Sequence, residues 1–96
     1  MFAARINDKT SGHQTYPPQT IVLGSPNVVC NNIPLARIGD KVSTHTNTIP
    51  PFDSHDSVIS TGSFKVTCNN IPVARVGDGI ACGGVIVTGS PNVYIG

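Results

Sequence analysis

An internal repeat runs through the whole of this 96-residue chain and constrains its fold more than any other feature. Residues 21–42 and 59–80 align without a gap, so that Gly24 matches Gly62 and Asp40 matches Asp78. Residues 86–96 match the front half of the unit, and residues 2–8 match its back half. This division predicts that the last segment pairs with the first and that three units surround one axis. Two repeats with unrelated tails are the alternative, which the full recurrence of Gly-Ser-Pro-Asn-Val at 24–28 and 89–93 disfavours.

The pattern inside each unit has a period of two residues, which predicts strands. Apolar residues alternate with polar or amphipathic ones, so one face of each strand is expected to be buried. The inward positions are Val28 and Cys30, Val66 and Cys68, and Val93 and Ile95. Eight prolines and ten glycines exclude long helices. The sequence therefore predicts an all-β, closed, pseudo-threefold fold with almost no helix, formed by one domain over residues 1–96.

The connections between strands carry turn residues. Asn31-Asn32 and Asn69-Asn70 suit tight hairpin turns that need positive φ. Gly24-Ser25-Pro26-Asn27 is also predicted to be a turn, because Gly frees φ and Pro fixes it. Residues 41–57, which contain Pro50-Pro51, are predicted to form the longest loop.

Charge and hydropathy exclude several classes of partner. The net charge is +1 and only 11% of the residues are charged, without a basic stripe, which argues against nucleic acid as a partner. No apolar run is long enough to span a bilayer, so stable membrane insertion is not expected. The N-terminal residues lack a signal-peptide pattern, which predicts synthesis in the cytoplasm without export by the ordinary secretory route.

Potential metal ligands recur at matched positions of the three units. His13 lies five residues after Asp8, and His45 lies five residues after Asp40. Cys82 follows the third equivalent aspartate by four residues. A threefold axis would bring these three side chains together, and residues 41–57 supply one more histidine. The candidate ligands are His13, His45, His55 and Cys82.

Three imidazoles and one thiolate suit a single zinc ion, although copper or iron accept similar donors. Four protein ligands leave no open position for water, which favours a structural site over a catalytic one. A small zinc hydrolase is the alternative. It would need Asp53 or Asp56 as the base, because the chain contains no Glu. The two aspartates also flank His55 and could orient it, but ordinary solvation in a loop is the favoured interpretation. The chain is therefore predicted not to be an enzyme.

Two further sets of residues have a structural and a functional interpretation. Cys30 and Cys68 align with Ile95, which indicates small buried apolar positions, and a disulfide between them is the alternative. Each Arg of an Ala-Arg-x-x-Asp motif precedes its Asp by three residues. A local ion pair at each strand end is favoured over a ring of charges that docks a partner. These motifs are Ala4 to Asp8, Ala36 to Asp40 and Ala74 to Asp78.

The motif segments resemble the family of PAAR-repeat proteins, named for Pro-Ala-Ala-Arg. They read Phe-Ala-Ala-Arg at 2–5, Pro-Leu-Ala-Arg at 34–37 and Pro-Val-Ala-Arg at 72–75. Ser-Gly-His at 11–13, Cys-Asn-Asn-Ile-Pro at 30–34 and Cys-Gly-Gly-Val-Ile at 82–86 also fit the family. The resemblance covers essentially the whole chain, and it implies a small β cone with one metal ion, generally zinc, near its tip.

The resemblance also implies a role. Members of the family cap the trimeric β-helical spike of contractile injection machines, which is VgrG in type VI secretion systems or the central spike of a contractile phage tail. A chain of this kind is expected to be a monomer by itself, to bind one spike trimer, and to sharpen the spike for membrane piercing. It is then carried through the target envelope as part of the spike, and effector proteins are possible further partners.

Overall fold

The computed structural model describes all residues, 1–96, and contains strands and turns but no helix. The strands form three antiparallel pairs: β1 with β2, β3 with β4, and β5 with β6. Their bounds are Val29–Cys30 (β1), Ile33–Pro34 (β2), Lys41–Thr46 (β3), Ser54–Val58 (β4), Thr67–Cys68 (β5) and Ile71–Pro72 (β6). The predicted all-β class is confirmed. No segment forms a helix long and apolar enough to cross a membrane.

The two short hairpins have the predicted asparagine turns. In β1–β2 the turn residues Asn31 and Asn32 have φ of 56° and 63°. In β5–β6 the corresponding values for Asn69 and Asn70 are 55° and 63°. Two consecutive positive φ values match a two-residue turn whose twist fits the flanking strands. Asparagine tolerates this region better than other residues with a Cβ, which explains why both repeats have it here.

The third unit is completed by the two ends of the chain. Phe2 pairs with Tyr94 in antiparallel fashion, in the position that Pro34 and Val29 occupy in the first hairpin. The Ile95 amide donates to the Met1 carbonyl at 2.7 Å. The predicted closure of the fold by the first and last segments is therefore confirmed.

A ring of three backbone hydrogen bonds joins the units around the axis. The Ala36 amide donates to Ala4, the Ala74 amide to Ala36, and the Ala4 amide to Ala74, at 2.9–3.0 Å. All three alanines have no exposed surface. Because three backbones meet here, the axis leaves room only for small side chains, which explains the repeated alanine of the Ala-Arg motif.

The core consists of two stacked apolar clusters. One contains the axial alanines, Val42 and Ile80, together with the three equivalent isoleucines Ile21, Ile59 and Ile86, and Cys82 packs against it. The other contains Cys30, Cys68 and Ile95 with Ala3, Leu35 and Val73. The predicted inward positions are buried or half-buried except Val28, which is 38% exposed. Both Cys30 and Cys68 are free, so the small-apolar interpretation is confirmed.

The molecule is elongated, with extents of 41 × 23 × 21 Å, and its two ends differ. We call the end formed by the two short hairpins and the paired chain termini the hairpin end. The opposite end, formed by residues 11–18, 44–56 and 81–84, is called the metal end.

Each repeat ends in a local Arg–Asp pair, as predicted. In the second unit, Nη2 of Arg37 lies 2.9 Å from Asp40, and the Arg37 amide donates to the same carboxylate at 2.8 Å. The other two units have equivalent ion pairs and amide bonds. Each carboxylate thus holds both the side chain and the backbone of its arginine, which fixes the tight turn that follows the strand.

The prediction of a long loop at residues 41–57 was wrong. Most of this segment is the hairpin of β3 and β4, and only residues 47–53 connect the two strands. The prolines and polar residues suggested a loop, but Lys41–Thr46 is a bulged strand whose exposed side chains are polar.

Candidate metal centre

The four predicted ligands lie together at the metal end. Their donor atoms, one from each of His13, His45, His55 and Cys82, are all within 4.8 Å of one another. His45 is buried with 3% of its surface exposed, and the other three side chains are half-buried. No other group of histidine, cysteine or acidic side chains in the chain has this geometry.

Two of the histidines come from one hairpin. His45 on β3 and His55 on β4 are direct cross-strand partners, so their side chains lie on the same face of the sheet. The register shifts between Val42 and His45, which is a β-bulge. In a regular strand these two residues, three apart, would face opposite sides; the extra residue lets both face the axis.

The other two side chains are held by tight turns. His13 begins a turn that closes with two backbone hydrogen bonds to Tyr16, of 3.2 and 2.8 Å. The Cys82 amide donates to the Ser57 hydroxyl at 2.9 Å, which ties the third turn to β4. Gly83 follows with φ of 121°, and a Cβ there would lie 3.2 Å from the His13 ring. Glycine at this position therefore lets the backbone pack directly on the imidazole.

The donor atoms lie close enough together for one metal ion to reach all four. Nε2 of His55 lies 2.7 Å from Nε2 of His45 and 3.1 Å from Nε2 of His13. Sγ of Cys82 lies 3.8 Å from Nε2 of His45. Donors around a tetrahedral ion with bonds of about 2.0–2.3 Å are about 3.3–3.6 Å apart. The residues present could therefore hold a metal ion, with the closest donors moving apart and the more distant ones moving together.

The protonation of the imidazoles also suits metal binding. Nδ1 of His45 lies 2.7 Å from the Pro17 carbonyl oxygen, which can only accept, so Nδ1 carries the hydrogen. The lone pair is then on Nε2, which faces the other donors. Burial lowers the pKa of His13, and the neighbouring imidazoles of His45 and His55 lower it further. Both effects keep His13 in the neutral form that binds metals.

Two residues at the centre were missed by the sequence analysis. The Tyr16 ring packs against all three imidazoles, with ring centroids 4.3–4.8 Å apart. Gln19 is 1% exposed, and its Oε1 lies 3.8 Å from Sγ of Cys82. Its Nε2 donates to the Ser43 carbonyl at 2.8 Å, which fixes the amide orientation. The repeat could have pointed to Gln19. It precedes Ile21 by two residues, as Ser57 precedes Ile59, and Ser57 contacts the backbone of Cys82.

The remaining candidates lie away from the centre. Cys30 and Cys68 belong to the apolar cluster at the hairpin end. Asp53 and Asp56 are exposed, and neither carboxylate bonds to His55; Asp53 lies in the connecting loop as expected, whereas Asp56 lies on β4.

Comparison with known proteins agrees with this geometry. The family description "PAAR motif" matches residues 11–88, a span that includes all four side chains of the centre. No significant match was found among curated proteins. Since the match covers most of the sequence and the fold has three such units around one axis, the chain belongs to the PAAR motif family.

Proposed function

We propose that this protein is the metal-stabilised tip of a contractile injection machine, capping a trimeric β-helical spike of the VgrG or phage type. One observation carries the proposal: a single chain forms a threefold ring of backbone hydrogen bonds and ends in a four-donor cluster. A monomer with three similar faces can sit on the axis of a true trimer, because each spike subunit then meets an equivalent surface.

The hairpin end is the docking face in this proposal. At that end the three units are alike, even where the third lacks a hairpin turn: the Gly96 oxygen accepts from Ser63 and Arg75. The equivalent side-chain acceptors are Asn69, bonded by Ser25 and Arg37, and Asn31, bonded by Ser90 and Arg5. The metal end is not threefold, because only one unit extends into the β3–β4 hairpin. Only the hairpin end therefore offers a threefold partner three similar contacts.

The metal end is the leading point. Its outermost segment, residues 47–53, is fastened to the neighbouring turn by the backbone and hydroxyl of Thr48, which both donate to the Thr15 carbonyl at 3.1 and 2.9 Å. Ile49 and Phe52 are 52% and 56% exposed there. This apolar loop is held by hydrogen bonds and lies on a base that the metal would stabilise. Such an end suits repeated contact with a membrane.

The ion in this proposal is zinc, bound once and with a structural role, by His13, His45, His55 and Cys82. Three imidazole nitrogens and one thiolate are donors that zinc accepts in tetrahedral geometry. With all four positions taken by protein, no site remains for an activated water, so the proposed function is not enzymatic. Residues 1–96 act as one unit in this role.

Binding to a spike tests the role. The zinc-loaded chain is mixed with a trimeric VgrG-type or phage central spike, and the mass of the complex is measured by light scattering. We expect one chain per trimer, because the axis passes through a single monomer. Three chains per trimer would contradict the proposal.

Two substitutions locate the face. Val29 at the hairpin end is 59% exposed, and Phe52 at the metal end is 56% exposed. Val29→Asp should weaken the complex, whereas Phe52→Asp should leave it unchanged. The reverse result would place the docking surface at the metal end.

A further inference from the structure

The centre has an aromatic wall whose role neither the family match nor the sequence motifs assign. We propose that the ring of Tyr16 closes the metal site against water and sets the rate at which the ion is released. This inference rests on the proposed metal site and concerns how that site retains its ion.

Tyr16 contacts every imidazole of the cluster. Its ring centroid lies 4.8 Å from that of His13, 4.8 Å from that of His45 and 4.3 Å from that of His55. The three imidazoles are packed equally closely against one another, with centroids 4.5–5.1 Å apart. One aromatic ring thus covers the three-histidine side of the cluster.

Other residues cover further parts of the cluster. Cys82 packs against the apolar cluster of the core, and Gln19 lies buried beside its sulfur. The Gly83 backbone lies against the His13 ring. Tyr16 itself is half-buried, so part of it meets solvent while its ring packs against the imidazoles. It therefore stands between the donors and water.

The ring rather than the hydroxyl has this role. The Tyr16 hydroxyl makes no hydrogen bond within the protein, whereas the backbone of Tyr16 is held by His13. The next residue, Pro17, supplies the carbonyl that fixes the His45 tautomer. The segment 13–17 thus contains the ligand His13, the covering ring of Tyr16 and the Pro17 carbonyl that orients His45. Removing the Tyr16 ring alone should leave the other two in place.

Metal release from the whole chain tests the proposal. Zinc-loaded wild type and Tyr16→Ala are each mixed with excess of a coloured chelator, and the release rate is followed by absorbance. We expect Tyr16→Ala to release zinc faster by on the order of tenfold, the size of effect typical of groups that surround the ligands of a metal. Release at the wild-type rate would overturn the proposal.

Two further variants separate shielding from general loosening. Tyr16→Phe should keep the wild-type rate, because the ring remains; a rate as fast as that of Tyr16→Ala would overturn the assignment to the ring. Tyr94→Ala is the matched control, since Tyr94 is 71% exposed at the hairpin end, and it should also keep the wild-type rate. If this remote change accelerated release equally, the effect would belong to overall stability and the proposal would fail.

Cobalt provides a second measurement. Four-coordinate Co²⁺ absorbs visible light more strongly than Co²⁺ with an added water. The Co²⁺-loaded wild type and Tyr16→Phe should give the strong spectrum, and Tyr16→Ala a weaker one. Equal spectra for all three would contradict exclusion of water by the ring. A wild type that binds neither ion would instead refute the metal site itself, which distinguishes the two failures.

Discussion

At the scale of the residue, this fold depends on side chains that each do two things. Asp78 is an example: its carboxylate accepts from the Arg75 side chain at 2.9 and 3.0 Å and from the Arg75 amide at 2.7 Å. The Thr61 hydroxyl donates to it as well, at 3.1 Å. The same group therefore neutralises a charge and shapes a turn, and the pattern of an Arg three residues before an Asp predicted the first role only.

Asp78→Asn should destabilise the protein in a pH-dependent way. Burial by itself raises the pKa of Asp78, but the hydrogen bonds from Arg75 and Thr61 outweigh it, so the pKa lies below the usual aspartate value of about 3.9. The stabilisation is therefore present at neutral pH and is lost as the pH falls through the lowered pKa. We expect a loss of about 2 kcal/mol at neutral pH, typical of hydrogen bonds to a charged group.

The measurement is urea unfolding of both proteins at several pH values. Acid also protonates the histidines and releases metal from both proteins, so the quantity to compare is the difference in unfolding free energy between them. That difference should shrink below pH of about 4, and a constant difference would show that the charge of Asp78 is not the cause.

At the scale of the element, the two asparagines of each short hairpin have different roles. Asn69 and Asn70 both need positive φ, but only Asn69 is part of a network. Its Oδ1 accepts from Ser25 at 2.7 Å and from Arg37 at 3.1 Å, and its Nδ2 donates to Asn27 at 2.8 Å. The turn of the second repeat is thereby bonded to the first repeat.

Replacing each asparagine by glycine separates these roles. Glycine adopts positive φ without strain, so Asn70→Gly should change the free energy of unfolding by less than about 0.5 kcal/mol. Asn69→Gly should cost about 1–3 kcal/mol, because its hydrogen bonds with Ser25, Arg37 and Asn27 are lost. Thermal and urea unfolding measure both. Equal effects of the two substitutions would mean that the network contributes nothing.

The sequence predicted the short hairpins but not the long one. Repetition showed which positions are equivalent, and positive φ explained the paired asparagines. The β3–β4 hairpin occurs in one repeat only, so no second copy revealed its strands. Its bulge also breaks the alternation that marks a strand, since Val42 and His45 both face the axis. The proximity of His45 and His55 was therefore predicted only through the metal hypothesis. Nothing in the sequence indicated that Tyr16 packs against the histidines.

At the scale of the whole molecule, the two ends are stabilised in different ways. The hairpin end has an apolar cluster, the ring of alanine hydrogen bonds and the serine–asparagine network. The metal end has short turns and the outer part of the β3–β4 hairpin, and its four donors lie close together beside the ring of Tyr16. A domain of this size has a modest core, so the proposed ion is expected to contribute much of its stability.

Loss of one metal ligand should therefore lower the stability of the whole fold. His45→Ala should lower both the zinc content and the unfolding temperature, the latter by on the order of 10 °C, because an ion at 100 times its Kd adds about 2.7 kcal/mol. Elemental analysis and calorimetry measure the two effects. Thr44→Ala, an exposed neighbour on the same strand, is the control and should change neither. Unchanged zinc and unchanged melting in His45→Ala would refute a structural ion.

The pairing of Met1 with Ile95 has a consequence for how the protein is made. When residue 95 is added, Cys82 is still inside the ribosome, so neither the four-donor cluster nor the third face can form until the last segment has emerged. The first residues can therefore pair only after the last ones are available. The contact between Met1 and Ile95 that closes the ring spans nearly the entire sequence. Because such distant pairing is slow, this fold is expected to close only in a late, concerted step of its biosynthesis.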